Sequence, residues 1–178
     1  MNLIRKIARG NVGALEQLYE RYKTGVYRLA LSLTGDPYLA EDITQDTFLR
    51  IQENASSYRP GGGEAAWILT IARNLTYDCL RRRRREICSD DAAREYGGLA
   101  AGAFSSFAAS GGEAAAGNLY FLDLISGLSL EEKELVCLRI LGGLPWREIG
   151  RITCQSGEAC RKRYERILKR LREQFTGQ

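Results

Sequence analysis

Apolar residues recur at helical spacing through most of this chain. Glycine or proline interrupts them at Gly10, Gly35–Asp36–Pro37, Pro60–Gly63, Gly97–Gly98, Gly111–Gly112 and Gly142–Gly143. No stretch shows the alternation of a strand, so the expected fold is all-α. The clearest amphipathic element covers residues 39–52. At ~100° per residue, Ala40, Ile43, Thr44, Thr47, Phe48 and Ile51 gather on one side, with Glu41, Asp42, Gln45, Asp46 and Gln52 on the other. Leu49 stands by itself on the polar face. An apolar anchor inside a charged rim is what protein-binding surfaces use, although most acidic helix faces are simply solvated.

The last third of the chain predicts three helices. Ser129 begins Ser-Leu-Glu-Glu, a capping box with Glu132, and opens a helix whose apolar positions are Leu135, Val136, Leu138, Ile140 and Leu141. Pro145 suits the first turn of a second helix, Trp146 to about Ile152, and Thr153–Gln155 form a short connection. Ser156 is a good N-cap for a third helix, on which Cys160, Tyr164, Ile167 and Leu171 form a buried stripe. This is helix-turn-helix architecture, in which the start of the last helix enters the major groove. Arginine and lysine donate to guanine there and glutamate accepts from cytosine, so Glu158, Arg161, Lys162 and Glu165 are the candidate base readers. Arg147, Arg163, Arg166 and Arg170 suit phosphate contacts. The plainer alternative is a solvated basic helix end.

Between the two patterned regions the composition changes. From Ser89 to Asn118, 20 of 30 residues are Ala, Gly or Ser, too few large apolar groups for a fixed core. That predicts a linker at 89–118 joining two small helical domains, 1–88 and 119–178. An Ala-rich helix inside one domain is the weaker alternative, because six glycines are spread through the segment.

Charge and composition then narrow the chemistry. Residues 1–54 hold seven basic and seven acidic side chains, 55–90 seven and four, 91–127 one and four, and 128–178 eleven and seven, so positive charge falls in two separated blocks. The absence of histidine removes the commonest general base, serine-type triads and most catalytic zinc sites. No nucleophile-base pair or metal cluster can be assembled, so neither an enzyme nor a cofactor is expected. Five cysteines without a C-x-x-C pair fit a reduced, cytoplasmic chain better than a disulfide framework, and Cys137 and Cys160 fall on apolar faces as core residues. No apolar run approaches the roughly 20 residues that span a bilayer, so membrane insertion is not expected.

The first basic block has a particular form. Ser57-Tyr58-Arg59-Pro60 and three glycines make a loop with one aromatic and one cation, leading into a helix that ends in Arg81–Arg85. Such groups stack unpaired bases and track a single-stranded backbone. Trp67, with Ile68, Ile71 and Leu75, reads instead as core.

Three segments together resemble the extracytoplasmic-function sigma factors of the sigma-70 family. AEDITQDTFLRIQ (Ala40–Gln52) resembles their polymerase-binding helix in region two, and AAWILTIARNLTYDCLRRRRR (Ala65–Arg85) the helix that engages the minus-ten element. Leu128–Gly150 with Ser156–Glu173 resembles region four, which binds the minus-thirty-five element. Their order and spacing make the resemblance specific, and it covers almost everything outside the linker.

The resemblance implies that Glu41, Asp42, Gln45, Asp46 and Leu49 face the clamp helices of core RNA polymerase. It implies that Ser57, Tyr58 and Arg59 receive a base flipped from the melted non-template strand, with Arg73, Asn74, Tyr77 and Arg81 along the minus-ten DNA. Ser156, Glu158, Arg161, Lys162, Glu165 and Arg166 would meet the duplex minus-thirty-five element. An anti-sigma factor is a further partner expected from the family. Cys154 and Gln155 depart from the pattern, standing where the family usually has Gly and an aliphatic residue, and Glu158 replaces a small residue. Leu128–Leu171 also resembles the helix-turn-helix of response-regulator activators, but residues 1–88 show no strands for a receiver domain. A helical adaptor that binds only proteins is the remaining alternative.

Overall fold

A computed structural model of the chain describes residues 2–59, 61, 63–89 and 120–176, and the described residues are helical without strands. In order they form α1 (Leu3–Ile7), α2 (Val12–Thr34), α3 (Pro37–Asn54), a 3₁₀ turn (Ala55–Ser57), α4 (Gly63–Ser89), α5 (Leu130–Ile140), α6 (Trp146–Thr153) and α7 (Gly157–Thr176). Residues 120–125 add a short helical stretch before α5. Apart from Ser89, which ends α4, the expected linker lies outside the described residues.

Local chemistry sets the boundaries. The Asn11 side chain accepts the Ala14 N–H at 2.9 Å and opens α2. Gly35 closes it at φ 67°, a left-handed conformation open to glycine without steric cost. Asp36 then caps α3 by accepting from the Tyr38 and Leu39 N–H groups, and Pro37 occupies the first turn, where its missing N–H costs nothing. The capping box at Ser129 and Glu132 is formed. Replacing Ser129 with alanine should lower stability by about 1 kcal/mol, as read by chemical denaturation; a loss below a few tenths would mean the box contributes nothing.

Glu132 carries more than the cap. Burial alone would push its carboxyl up, but hydrogen bonds from Arg170 and Ser129 hold it below the ordinary carboxylate value of 4.5. A depressed acid stabilises the fold above its unfolded pKa, and that contribution disappears as pH falls through the lowered value.

The two helical domains pack against each other. Leu18, Val26 and Leu29 of α2, Phe48 and Ile51 of α3, and Ile68 and Leu69 of α4 belong to one buried cluster with Leu135, Val136 and Leu138 of α5, Ile149 of α6 and Ile167 of α7. A smaller cluster joins Ala30, Leu31, Ala40 and Ile43 to Leu122. The central contact sets α5 against α2, with Ser32 Oγ and Cys137 Sγ 3.0 Å apart. Leu69 of α4 lies over Gly142, so close that a Cβ there would collide with its Cδ1. Burial pushes the Cys137 thiol up to about 12, so it stays neutral.

Five consecutive residues of α5, Glu134 to Leu138, are buried, which encloses the middle of this helix on every side. Ile140, expected to be apolar and covered, is 50% exposed. Helical spacing fixes which face a residue lies on, not how far along the helix its neighbours extend.

Candidate nucleic-acid interface

The α6–turn–α7 unit is held by close backbone approach. Cys154 takes the left-handed conformation at φ 56° and ends α6, and the Gln155 N–H donates to the Gly150 carbonyl at 2.9 Å. The departure from glycine at this position therefore leaves the turn intact. A non-glycine residue there costs roughly 1 kcal/mol, so Cys154→Gly should stabilise the chain by about that amount in thermal unfolding; an unchanged or lower stability would contradict the strain. Ser156 accepts the Ala159 N–H at 3.1 Å and caps α7 as expected. Cys160 and Ile167 are fully buried, with Leu171 nearly so, and Tyr164 is half-buried against Trp146.

Two glycines that sequence reasoning passed over make this crossing possible. A Cβ on Gly150 would lie 2.6 Å from the Gln155 carbonyl oxygen and 2.9 Å from the Gly157 nitrogen, and one on Gly157 would lie 2.9 Å from the Trp146 carbonyl oxygen. The available signal was a glycine inside an eight-residue helix, a placement that costs stability unless another backbone needs the space.

All four candidate base readers are exposed on α7, in intrahelical pairs: Lys162 with Glu158 at 3.0 Å and Arg161 with Glu165 at 3.3 Å. Exposed pairs of this kind contribute about 0.3–0.5 kcal/mol, so they orient these side chains without committing them. Arg166 is exposed, and its Nε donates to the Lys162 carbonyl at 3.4 Å. Arg163 and Arg170 instead cross to α5, pairing with Glu131 at 2.8 Å and Glu132 at 2.7 Å.

On α3 every expected apolar position is buried, while Glu41, Asp42, Gln45 and Asp46 are exposed and Leu49 is 58% exposed. Asp42, Asp46 and Leu49 line a groove of about 550 Å³ closed on its other side by Leu75, Asp78 and Arg82 of α4.

The loop after α3 differs from the expectation of a displayed aromatic. Ser57 lies in the 3₁₀ turn and its hydroxyl donates to the Asn54 carbonyl at 2.7 Å. Tyr58 is only 7% exposed, its ring edge-on to Trp67 at 5.2 Å and its hydroxyl accepting from Asn2 at 3.1 Å. An aromatic pair is worth about 0.5–1.5 kcal/mol beyond its burial, which favours the inward position. Trp67 itself packs against the core, as expected. Arg59 is exposed; with Tyr58, Trp67 and Thr70 it lines a cleft of about 390 Å³, whose far wall is Glu148, Arg151 and Ile152 of α6.

Along α4, Asn74 is exposed, and Arg81 is exposed and paired with Asp78 at 2.6 Å. Arg82, Arg84 and Arg85 are also exposed, and Arg83 reaches Asp36 at 3.2 Å. Arg73 and Tyr77, expected on an open surface, are instead engaged by α5. The Arg73 Nε donates to Glu134 Oε1, and the Tyr77 hydroxyl donates to Glu134 Oε2 at 2.6 Å. The Arg73 guanidinium lies 4.6 Å from the Tyr77 ring centre. Burial, then the hydrogen bond to Glu134, push the Tyr77 phenol far above its usual range, so it remains a donor. Among the described residues no group of acidic or cysteine side chains is placed to hold a metal, and no helix is long and apolar enough to cross a membrane.

Residues 18–86 match the family model of sigma-70 region 2. Over 164 residues the chain is 30% identical to the RNA polymerase sigma factor CarQ of Myxococcus xanthus, covering 92% of this chain and 90% of that protein. It is 29% identical over 174 residues to the ECF RNA polymerase sigma factor BldN of Streptomyces coelicolor, covering 96% of this chain but 64% of BldN. Matches to several other ECF sigma factors take in less than half of their lengths. The fold is that of the sigma factor RpoE of Bartonella quintana, solved in complex with the anti-sigma factor NepR, at a TM-score of 0.69 and 23% identity over 93% of this chain and 98% of that one. With its helix-turn-helix, its acid-rimmed Leu49 and its region 2 match, the chain belongs to the extracytoplasmic-function group of the sigma-70 family of RNA polymerase sigma factors.

Proposed function

We propose that this chain directs core RNA polymerase to promoters and assists strand opening at the start of transcription. The observation that carries this reading is the presence on one chain of a sigma-70 region 2 segment, residues 18–86, and a helix-turn-helix with a cationic last helix. The groove around Asp42, Asp46 and Leu49 offers the polymerase an apolar anchor in an acidic rim, the composition of a contact that is both steered and specific. Residues 1–88 would supply this docking and, through Ser57, Tyr58, Arg59, Arg73, Asn74, Tyr77 and Arg81, the minus-ten contacts. Residues 119–178 would supply the minus-thirty-five contacts through Ser156, Glu158, Arg161, Lys162, Glu165 and Arg166, with 89–118 as connector. Joining two weak DNA sites on one polymerase raises their effective concentration, so neither needs to bind tightly alone. An anti-sigma factor is the expected antagonist.

The test is run-off transcription by core enzyme with and without the chain, on promoters from its own genome. New transcripts that depend on the chain support the reading, and their absence removes it. Within the helix-turn-helix, Arg161→Ala or Lys162→Ala should relax promoter choice, at about 1–3 kcal/mol of discrimination. Arg166→Ala should weaken binding to all sequences and flatten the salt dependence. Equal losses for all three would argue against base reading.

A further inference from the structure

Tyr38 stands in the first turn of α3 and is 73% exposed, more than Leu49 at 58% on the same helix. The two residues lie about 20° apart around the helix and about 16 Å apart along it. Asp42 and Gln45, both exposed, fall between them within about 40° of the same line. Glu41 and Asp46 flank it on either side. The four residues therefore form one straight stripe, on the side of α3 opposite the buried Ala40, Ile43, Thr47 and Ile51.

We infer that Tyr38 is a second apolar anchor of the polymerase-docking surface, so that a straight cationic surface of core RNA polymerase grips α3 at two points rather than at Leu49 alone. This rests on the proposed docking of polymerase at Leu49. A lone exposed aromatic calls for no explanation, but Tyr38 continues the line of an acid-rimmed leucine without a break. Charge selects the occupant: from Tyr38 to Leu49 the sequence holds three acids and no lysine or arginine, which suits a basic partner. A tyrosine also makes an efficient anchor, because it offers a large ring with a polar tip and gives up only two side-chain torsions.

The second anchor has a mechanical consequence. One oxygen of Asp36 accepts the Tyr38 N–H at 3.0 Å, and the other accepts from Arg83 of α4 at 3.2 Å. A single carboxylate thus ties the Tyr38 end of α3 to the cationic end of α4. A contact at Leu49 alone leaves α3 free to pivot about that point. A second contact about 16 Å away fixes the direction of the helix and, through Asp36, the placement of the Arg81–Arg85 run.

The experiment is competition of full-length variants against labelled wild type for purified core polymerase. Tyr38→Ala should bind about tenfold more weakly, the loss expected for truncating an aromatic anchor. Tyr38→Phe, which keeps the ring, should stay within about twofold. So should Val12→Ala, which trims a residue 79% exposed on α2, off this stripe. A Tyr38→Ala loss within twofold, or an equal loss in Tyr38→Phe or Val12→Ala, overturns the second anchor. Circular dichroism checks that Tyr38→Ala is folded, as a better helix former at an exposed position should be. A photo-crosslinking benzophenone side chain at position 38 gives a readout that does not depend on that variant: it should capture core polymerase, as the same group at position 49 should. Capture from 49 but not from 38 overturns the inference and leaves the Leu49 reading in place. If Leu49→Ala costs no affinity and position 49 captures nothing, the docking reading itself falls, and the second anchor with it.

Discussion

An Asp42→Ala, Asp46→Ala, Leu49→Ala variant should lose affinity for core polymerase by about a hundredfold and start no run-off transcripts at ordinary concentrations. An exposed leucine in the centre of a contact is worth about 2 kcal/mol and each rim charge about 0.5 kcal/mol. The sum, about 3 kcal/mol, corresponds to a factor of roughly 100–200. The helix itself should survive, because Ile43, Thr47, Phe48 and Ile51 hold α3 in place from its opposite side and all are buried. Pull-down with core enzyme measures the loss, and an unchanged circular dichroism spectrum shows that it is not unfolding. A triple variant that still co-purifies with polymerase would remove the groove at Leu49 as the docking site.

Gly150→Ala should be strongly damaging for the addition of a single methyl. The added carbon meets backbone atoms, at 2.6 Å from the Gln155 oxygen and 2.9 Å from the Gly157 nitrogen, and backbone cannot rotate out of the way as a side chain can. Alanine would gain up to about 1 kcal/mol of helix propensity, but relieving such contacts requires α7 to back away from α6, at about 3 kcal/mol or more. The net expectation is a loss of about 2 kcal/mol in denaturant unfolding and at least a tenfold loss of duplex promoter affinity, because the start of α7 carries the candidate base readers. A variant as stable as the wild type would show that the two helices are not this close.

Much of the fold was legible because helical spacing and capping chemistry are local. The two faces of α3, the capping box at Ser129, Ser156 at the start of α7 and the stripe Cys160–Tyr164–Ile167–Leu171 all follow from residues within a turn or two of each other. The contacts between distant segments were not legible. Glu134 lies 61 residues from Arg73 and 57 from Tyr77, and nothing in either neighbourhood marks them as partners. For the same reason a loop rich in glycine, with Tyr58 and Arg59, reads as open, whereas Asn2 and Trp67 draw the Tyr58 ring inward. The composition of 89–118 divides the chain into two helical domains without saying how they meet, and the large apolar residues of α5 find their partners on α2 and α4 across that segment. The role of Gly150 was hidden because a glycine's importance lies in the backbone that approaches it.

The pairing of α2 with α5 also sets an order of events during synthesis. Ser32 and Cys137 touch across 105 residues of sequence, so the side of α2 that α5 covers has no partner until the ribosome has made about that much more chain. At about 5–20 residues per second this leaves the nascent protein with a bare apolar stripe for roughly 5–20 s. During that interval the stripe is open to non-native apolar contacts, so the chain's yield in the cell should depend on chaperones more than its final stability would suggest.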